Sequence, residues 1–167
     1  MFYHIEDFAR AWEYESAATQ KLLNELNDSS LRQTIAAGHR DLGRIAWHVV
    51  TTIPEMMSRT GLKFQAVVGE AALPAAAQAM KKSYAEASRE LMDQVRSSWT
   101  DATLSVTDDM YGQKWSRGQT LAILINHQTH HRGQMTVLMR QAGLHVPGVY
   151  GPSKEEWANF GGSPPEV

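Results

Sequence analysis

The sequence predicts an all-α four-helix bundle. Four stretches of about twenty residues carry apolar side chains at three- and four-residue steps, and no convincing alternating run separates them. A histidine pair spaced by four interrupts one of the apolar stripes, which marks that stripe as the place to look for chemistry.

The first helix is expected over residues 5–27, with Phe8, Ala11, Trp12, Glu15, Thr19, Leu22, Leu23 and Leu26 on its inward stripe. Asn27-Asp28-Ser29-Ser30 ends it, and residues 31–40 form a connector too polar and too short for another major element. Asp41 suits the N-cap of a second helix over 41–59, with Gly61 just past its end and Pro54 expected to kink its last turns. After a crossover over 61–73, Pro74 is acceptable in the first turn of a third helix that runs to Ser98 through Ala77, Met80, Tyr84, Ala87, Leu91 and Val95. A second crossover, 99–115, carries Asp108-Asp109 and Tyr111-Gly112, the signature of an ordered turn. Ser116 and Gln119 fit a capping box opening the fourth helix, which Gly143 and Pro147 stop. The reading is one domain over 1–160 and a frayed Gly-Gly-Ser-Pro-Pro tail over 161–167.

With 167 residues, 43% of them hydrophobic, the chain can bury a real core without staples. Cysteine is absent, so disulfides, thiolate metal sites and a cysteine nucleophile are excluded, and any thiol chemistry must bring its thiol with a substrate. A net charge of -2 without a dense basic block argues against a nucleic-acid partner. Glu6, Asp7 and Arg10 break the opening segment, and no uncharged run approaches a membrane span, so no membrane partner is expected and the cytoplasm is the default address.

His127 and His131 lie one helical turn apart, on the stripe Leu121, Leu124, His127, His131, Met135 and Leu138 that should face inward. Such a pair can share an ion, or each ring can find ordinary hydrogen bonds; spacing alone leaves both open. His48 also faces inward, with Ile45 and Thr52, on the second helix, and it can join the pair only if the second and fourth helices are neighbours. His130 is turned by about 100° from His131 and reads as a surface or supporting residue. His4, His39 and His145 fall near ends or loops. Gln128 and Gln134 could bond a bound water or substrate, although interhelical or solvated roles are commoner for glutamine. Arg132 could anchor a carboxylate but is better read as fixing packing, and Glu15 could support a ligand histidine or lie at its stripe's edge. The five tryptophans read as core or interface residues before pocket residues.

The segment Leu42-Gly43-Arg44-Ile45-Ala46-Trp47-His48, followed late in the chain by His127-Gln128-Thr129-His130-His131-Arg132-Gly133-Gln134, resembles the DinB-like superfamily. Arg140-Gln141-Ala142-Gly143-Leu144-His145-Val146-Pro147 and then Tyr150-Gly151 are similar to the segment that closes the last helix in that family. The resemblance implies an up-down-down-up bundle, a divalent metal on His48, His127 and His131, and a homodimer. It also implies kinship with thiol-dependent transferases and isomerases, alongside many members without an assigned reaction. Three imidazoles leave an open coordination position, where a thiol or water is activated. Zinc or nickel suits such ligands best, and iron, copper or manganese is compatible. The leading expectation is therefore a metal-dependent thiol transferase acting on a small electrophile with a low-molecular-weight thiol. A hydrolase using water, or a bundle with a structural or sensing metal, is the alternative.

Overall fold

The computed structural model describes residues 1–65 and 73–166. Its frame is four α-helices: α1 (Ile5–Glu25), α2 (Leu42–Ser58), α3 (Ala77–Ser98) and α4 (Arg117–Gln141). Their directions follow from which residues meet. Glu6 pairs with Arg96, Trp12 bonds Ser88, and Gln20 bonds the carbonyl of Lys81, so α1 and α3 are antiparallel. Phe2 meets Gly118 and Glu15 meets Arg132, so α1 and α4 are parallel. Lys63, just past α2, exchanges two hydrogen bonds with Gln94 near the end of α3, which makes those two parallel. The course is up-down-down-up, and α1 and α2 each pack against both α3 and α4. α1 and α2 thus sit across one diagonal and α3 and α4 across the other, and α2 and α4 become neighbours.

The expected caps form where sequence placed them. Asp41 accepts the Arg44 N–H at 2.7 Å at the start of α2, and Ser116 accepts the Gln119 N–H at 3.2 Å at the start of α4. Gly143, at φ +71°, lets the Gly143 and Leu144 amides turn back onto the carbonyls of Arg140 and Met139, the two bonds of a Schellman stop. Pro54 lies inside α2, which continues to Ser58.

Three boundaries differ from expectation. α1 ends at Glu25 because Leu26 is already extended. α3 starts at Ala77, three residues after Pro74: Ala76 has no capping side chain, and Asp28, distant in sequence, accepts the Ala77 N–H at 2.8 Å instead. The second crossover, expected to carry an ordered turn, adds a small hairpin beside the four-helix frame. β1 (Thr107–Met110) and β2 (Gln113–Ser116) form an antiparallel hairpin around Tyr111-Gly112, both at positive φ. Each strand has four residues and only Met110 is buried, so there was no alternation to see. Short 3₁₀ turns occupy Ser30–Arg32, Asp101–Ser105 and Lys154–Phe160. Residues 66–72 of the first crossover and residue 167 of the tail lie outside the described residues.

Most of the core is apolar, from Phe8, Trp12, Leu22 and Leu23 on α1 to Leu121, Leu124, Met135 and Met139 on α4. A polar seam crosses it. Gln128 is fully buried, donates to the Val49 carbonyl of α2 at 2.9 Å, and accepts from Tyr84 of α3 and Thr19 of α1. One turn on, Arg132 bonds the Glu15 carbonyl at 2.7 Å and Thr19 at 3.0 Å, and pairs with the Glu15 carboxylate and Tyr150. The packing role read for Arg132 holds, and Glu15 serves this pair rather than a histidine.

Two glycines of α4 separate close approach from mere helix weakness. A Cβ on Gly118 would lie 2.0 Å from the Phe2 carbonyl oxygen, whereas one on Gly133 meets nothing within 4 Å. Gly118→Ala is expected to cost about 2 kcal/mol by displacing the N-terminal segment, while Gly133→Ala gains up to about 1 kcal/mol of helix propensity. Urea unfolding of both variants checks this, and equal midpoints would refute the close-approach account.

Candidate metal centre

α2 presents Ile45, His48 and Thr52 toward α4, and α4 presents Leu124, His127, His131 and Leu138 toward α2. The antiparallel packing brings the three histidines together at mid-length. His48 Nε2 and His131 Nε2 lie 3.2 Å and 3.1 Å from His127 Nε2, and all three rings are half-buried. One nitrogen from each falls within 4.8 Å of the others, and among the described residues these are the His, Cys, Asp and Glu side chains grouped so that they could hold a metal.

Proton counting favours an ion in this cluster. His127 Nε2 faces two other ring nitrogens, and a neutral imidazole nitrogen carries either one proton or one lone pair, so hydrogen bonds alone do not satisfy both contacts well. Charging the rings does not help. Burial, then the neighbouring imidazoles His131, His48 and His130, push His127 down from 6.5 to about 4. Burial lowers His131 as well, against a raising contribution from Gln134. Both rings are therefore neutral near pH 7, with lone pairs available to a cation. Gln134 Oε1 lies 2.7 Å from His131 Nδ1; accepting that proton leaves the lone pair on Nε2, facing the cluster. His127 Nδ1 is buried with no hydrogen-bond partner among the described residues.

His130 sits outside the cluster, exposed, 3.1 Å from Gln134 Nε2. Gln134 thus holds a candidate ligand rather than reaching for water, and Gln128 is spent on the polar seam. Trp12, Trp47 and Trp99 are buried, and Trp115 and Trp157 half-buried. Tyr111 bonds Glu55, under the Arg59 guanidinium, at the hairpin tip.

Sequence reasoning missed the connector between α1 and α2. A backbone bridge between Thr34 and Asp41, with the Leu42 N–H on the Gln33 carbonyl at 2.8 Å, closes residues 35–40 into a loop beside the histidines. A cavity of about 410 Å³ opens there, lined by Ile35, Arg40, Ile45, His131, Val137 and Leu138. Another of about 440 Å³, on the His48 side, is lined by His39, Arg40, Asp41, Arg44 and Trp47. His39-Arg40 immediately before the Asp41 cap was the available signal, but its relation to α4 was not in the sequence.

The model of the DinB family matches residues 1–166. The uncharacterized protein YrdA of Bacillus subtilis (strain 168) is 50% identical over 167 residues, covering all of both chains. A crystal structure of a DinB-like protein from Bacillus cereus ATCC 10987 superposes with a TM-score of 0.87 at 48% identity, over 90% of this chain and 100% of that one. A DinB-like protein of Bacillus subtilis, YjoA, shares the fold with a TM-score of 0.68 at 15% identity, over 88% of this chain and 99% of its own. No helix among the described residues is long and apolar enough to cross a membrane.

The histidine shifts fix a pH dependence for the metal-free protein. An imidazole at 6.5 when unfolded and about 4 when folded binds protons more readily in the unfolded chain. Its contribution is present above 6.5 and is lost as pH falls toward 4, and His131 acts in the same direction. Chelator-treated protein should lose melting temperature between about pH 6.5 and pH 4, and His127→Gln should flatten that decline. Parallel curves for the two proteins would show that His127 does not carry the effect.

Proposed function

Because the chain belongs to the DinB family, we propose that it is a metal-dependent enzyme in which His48, His127 and His131 hold one divalent ion, and that a low-molecular-weight thiol is activated there for transfer to a small electrophile. The observation that carries this reading is the convergence of three imidazole nitrogens on one point at the α2–α4 seam, between two cavities. A divalent ion held by three neutral imidazoles supplies Lewis-acid activation of a thiol or water at its open position. The chain's own residues do the rest. Gln134 fixes the His131 ring, Ile45, Val137 and Leu138 line one cavity with apolar surface, and Arg40 borders both cavities.

The thiol reading is preferred to a water-first hydrolase on a specific ground. Asp41 is the carboxylate residue among the described residues lining the two cavities, and its Oδ1 is engaged by the Arg44 N–H as a helix cap, leaving it poorly suited to act as general base. With no cysteine in the chain, the sulfur comes from a cosubstrate. Zinc or nickel fits the donor set best, with iron, copper and manganese compatible. The proposed address is the cytoplasm.

Elemental analysis tests the ligand set: His127→Ala is expected to lose the metal, whereas exposed His130→Ala keeps it. Undiminished metal content in His127→Ala rejects the site. Conjugation or isomerisation of an electrophile should then require both metal and thiol, with the largest gain over buffer below about pH 8, where a free thiol is mostly protonated. Turnover of an ester without thiol would instead select the hydrolase, and a metal that only raises the melting temperature would select a structural role.

The proposed assembly is a homodimer. Its support is the family resemblance together with the exposed apolar side chains Tyr14, Val106, Tyr150 and Phe160. Light scattering at micromolar concentration should give twice the 18.6 kDa chain mass, and a monomer there removes the claim.

A further inference from the structure

The two cavities beside the histidine cluster differ in what lines them. Among the described residues, every aliphatic side chain that lines them lies on the His131 side, where Ile35 comes from the connector loop, Ile45 from α2, and Val137 and Leu138 from α4. Apart from Gly38, the cavity on the His48 side is walled by charged, imidazole and indole side chains. Ile45 and Leu138 are buried, whereas Ile35 and Val137 are 57% and 48% exposed. A single exposed aliphatic is ordinary on a protein surface. Here two, from distant parts of the chain, border one cavity together with two buried ones, and the result is a continuous apolar slot. Its loop side is held by backbone: Thr34, next to Ile35, pairs with Asp41 across the loop. Of the polar side chains in the lining, Gln134 holds His131 and His130, and Arg40 is engaged within the protein. The continuous surface that the slot offers a ligand is aliphatic.

We propose that this slot is the subsite for the electrophile, and that it selects a substrate with a compact hydrocarbon body, held between Ile35, Ile45, Val137 and Leu138. Calling the ligand a substrate rests on the functional reading above; the affinity for hydrocarbon comes from the slot alone. A cavity of about 410 Å³ lies at the small end of ligand sites. At about 30 Å³ for each non-hydrogen atom it has room for roughly a dozen, and for fewer where it opens to water. Polar atoms along the body would lose water against these side chains without gaining a partner, which selects against them. His131 belongs to the lining, and its Nε2 faces the cluster. A body held in the slot therefore presents one terminus to the proposed reaction point, and the reactive carbon of the substrate belongs at that terminus. Ile35 and Val137, at the opening, set which bodies are accepted.

Amide chemical-shift titrations of the chelator-treated protein with 1-butanol, 1-hexanol and 1-octanol test the slot without the metal. Affinity should rise about threefold per methylene from butanol to hexanol, below the roughly fourfold of complete burial, and level off by octanol as the chain outgrows the slot. The shifts should centre on Ile35, Ile45, Val137 and Leu138. Diethylene glycol monoethyl ether, which has the length of octanol with two ether oxygens in its body, should bind about tenfold more weakly than octanol. Ile35→Ser and Val137→Ser, both at exposed positions, should keep the melting temperature and each weaken hexanol about fivefold. Val106→Ser, at a comparably exposed aliphatic outside the slot, should change nothing. Affinity that ignores chain length overturns the subsite, and so do equal losses in Val106→Ser and Val137→Ser. A dimer that falls to a monomer in Ile35→Ser or Val137→Ser, read by light scattering, also overturns it, because a second copy of the chain then covers the slot. Zinc uptake measured in parallel keeps the two readings apart. Slot-dependent hexanol binding without zinc uptake removes the metal-enzyme reading and leaves a hydrocarbon site, whereas zinc uptake without slot-dependent binding removes the subsite alone.

Discussion

Gln128 is the constraint on which the rest of the structure depends. Fully buried, it reaches the Val49 carbonyl on α2, Tyr84 on α3 and Thr19 on α1, so one side chain touches every other helix of the bundle. Hydrophobic contacts are non-directional and tolerate a small rotation or slide; hydrogen bonds made away from water do not. The consequence for the histidines is direct. His127 precedes Gln128 and His48 precedes Val49, so the bond that fixes the register of α4 on α2 lies one residue from the cluster on both helices. Arg132 repeats the relation for His131 one turn later.

This explains why α4 carries two polar faces and still belongs in the core. His127 and His131 turn toward α2, while Gln128 and Arg132, offset by about 100° along the same helix, turn toward α1 and α3. The Arg132–Glu15 pair is nearly dry, and a buried ion pair is weak support for stability because desolvation offsets much of its attraction. Its effect is on orientation: Arg132 also bonds Thr19, Thr129 and the Glu15 carbonyl, so its plane has few alternatives. Two rigid polar pairs on one helix give the cluster its precision.

The cluster itself is kept electrically unsettled. Burial and mutual proximity hold His127 and His131 neutral, and Arg40 adds a positive field that further disfavours their protonation. A site of this kind, with several lone pairs directed at one spot, suits a metal cation better than protons. The loop that carries Arg40 is short and polar, features that made it look like a plain connector.

The sequence by itself determined the four helices, their caps and stops, and the inward direction of His48, His127 and His131, because these follow from local periodicity and from side chains that bond their own backbone. Asp41, Ser116 and Gly143 act on amides two to four residues away, and such contacts can be read without a fold. The resemblance supplied the course of the chain and the identity of the third histidine. Tertiary structure decided what local rules do not reach. The start of α3 waits for Asp28, the hairpin has too little burial to write an alternating pattern, and Glu15 was claimed by Arg132 instead of a histidine. Above all, the packing of α2 against α4 set His48 Nε2 3.2 Å from His127 Nε2 and brought Ile35 and Arg40 to their side. His48 and His127 are 79 positions apart in the chain, and no spacing along one helix contains that distance.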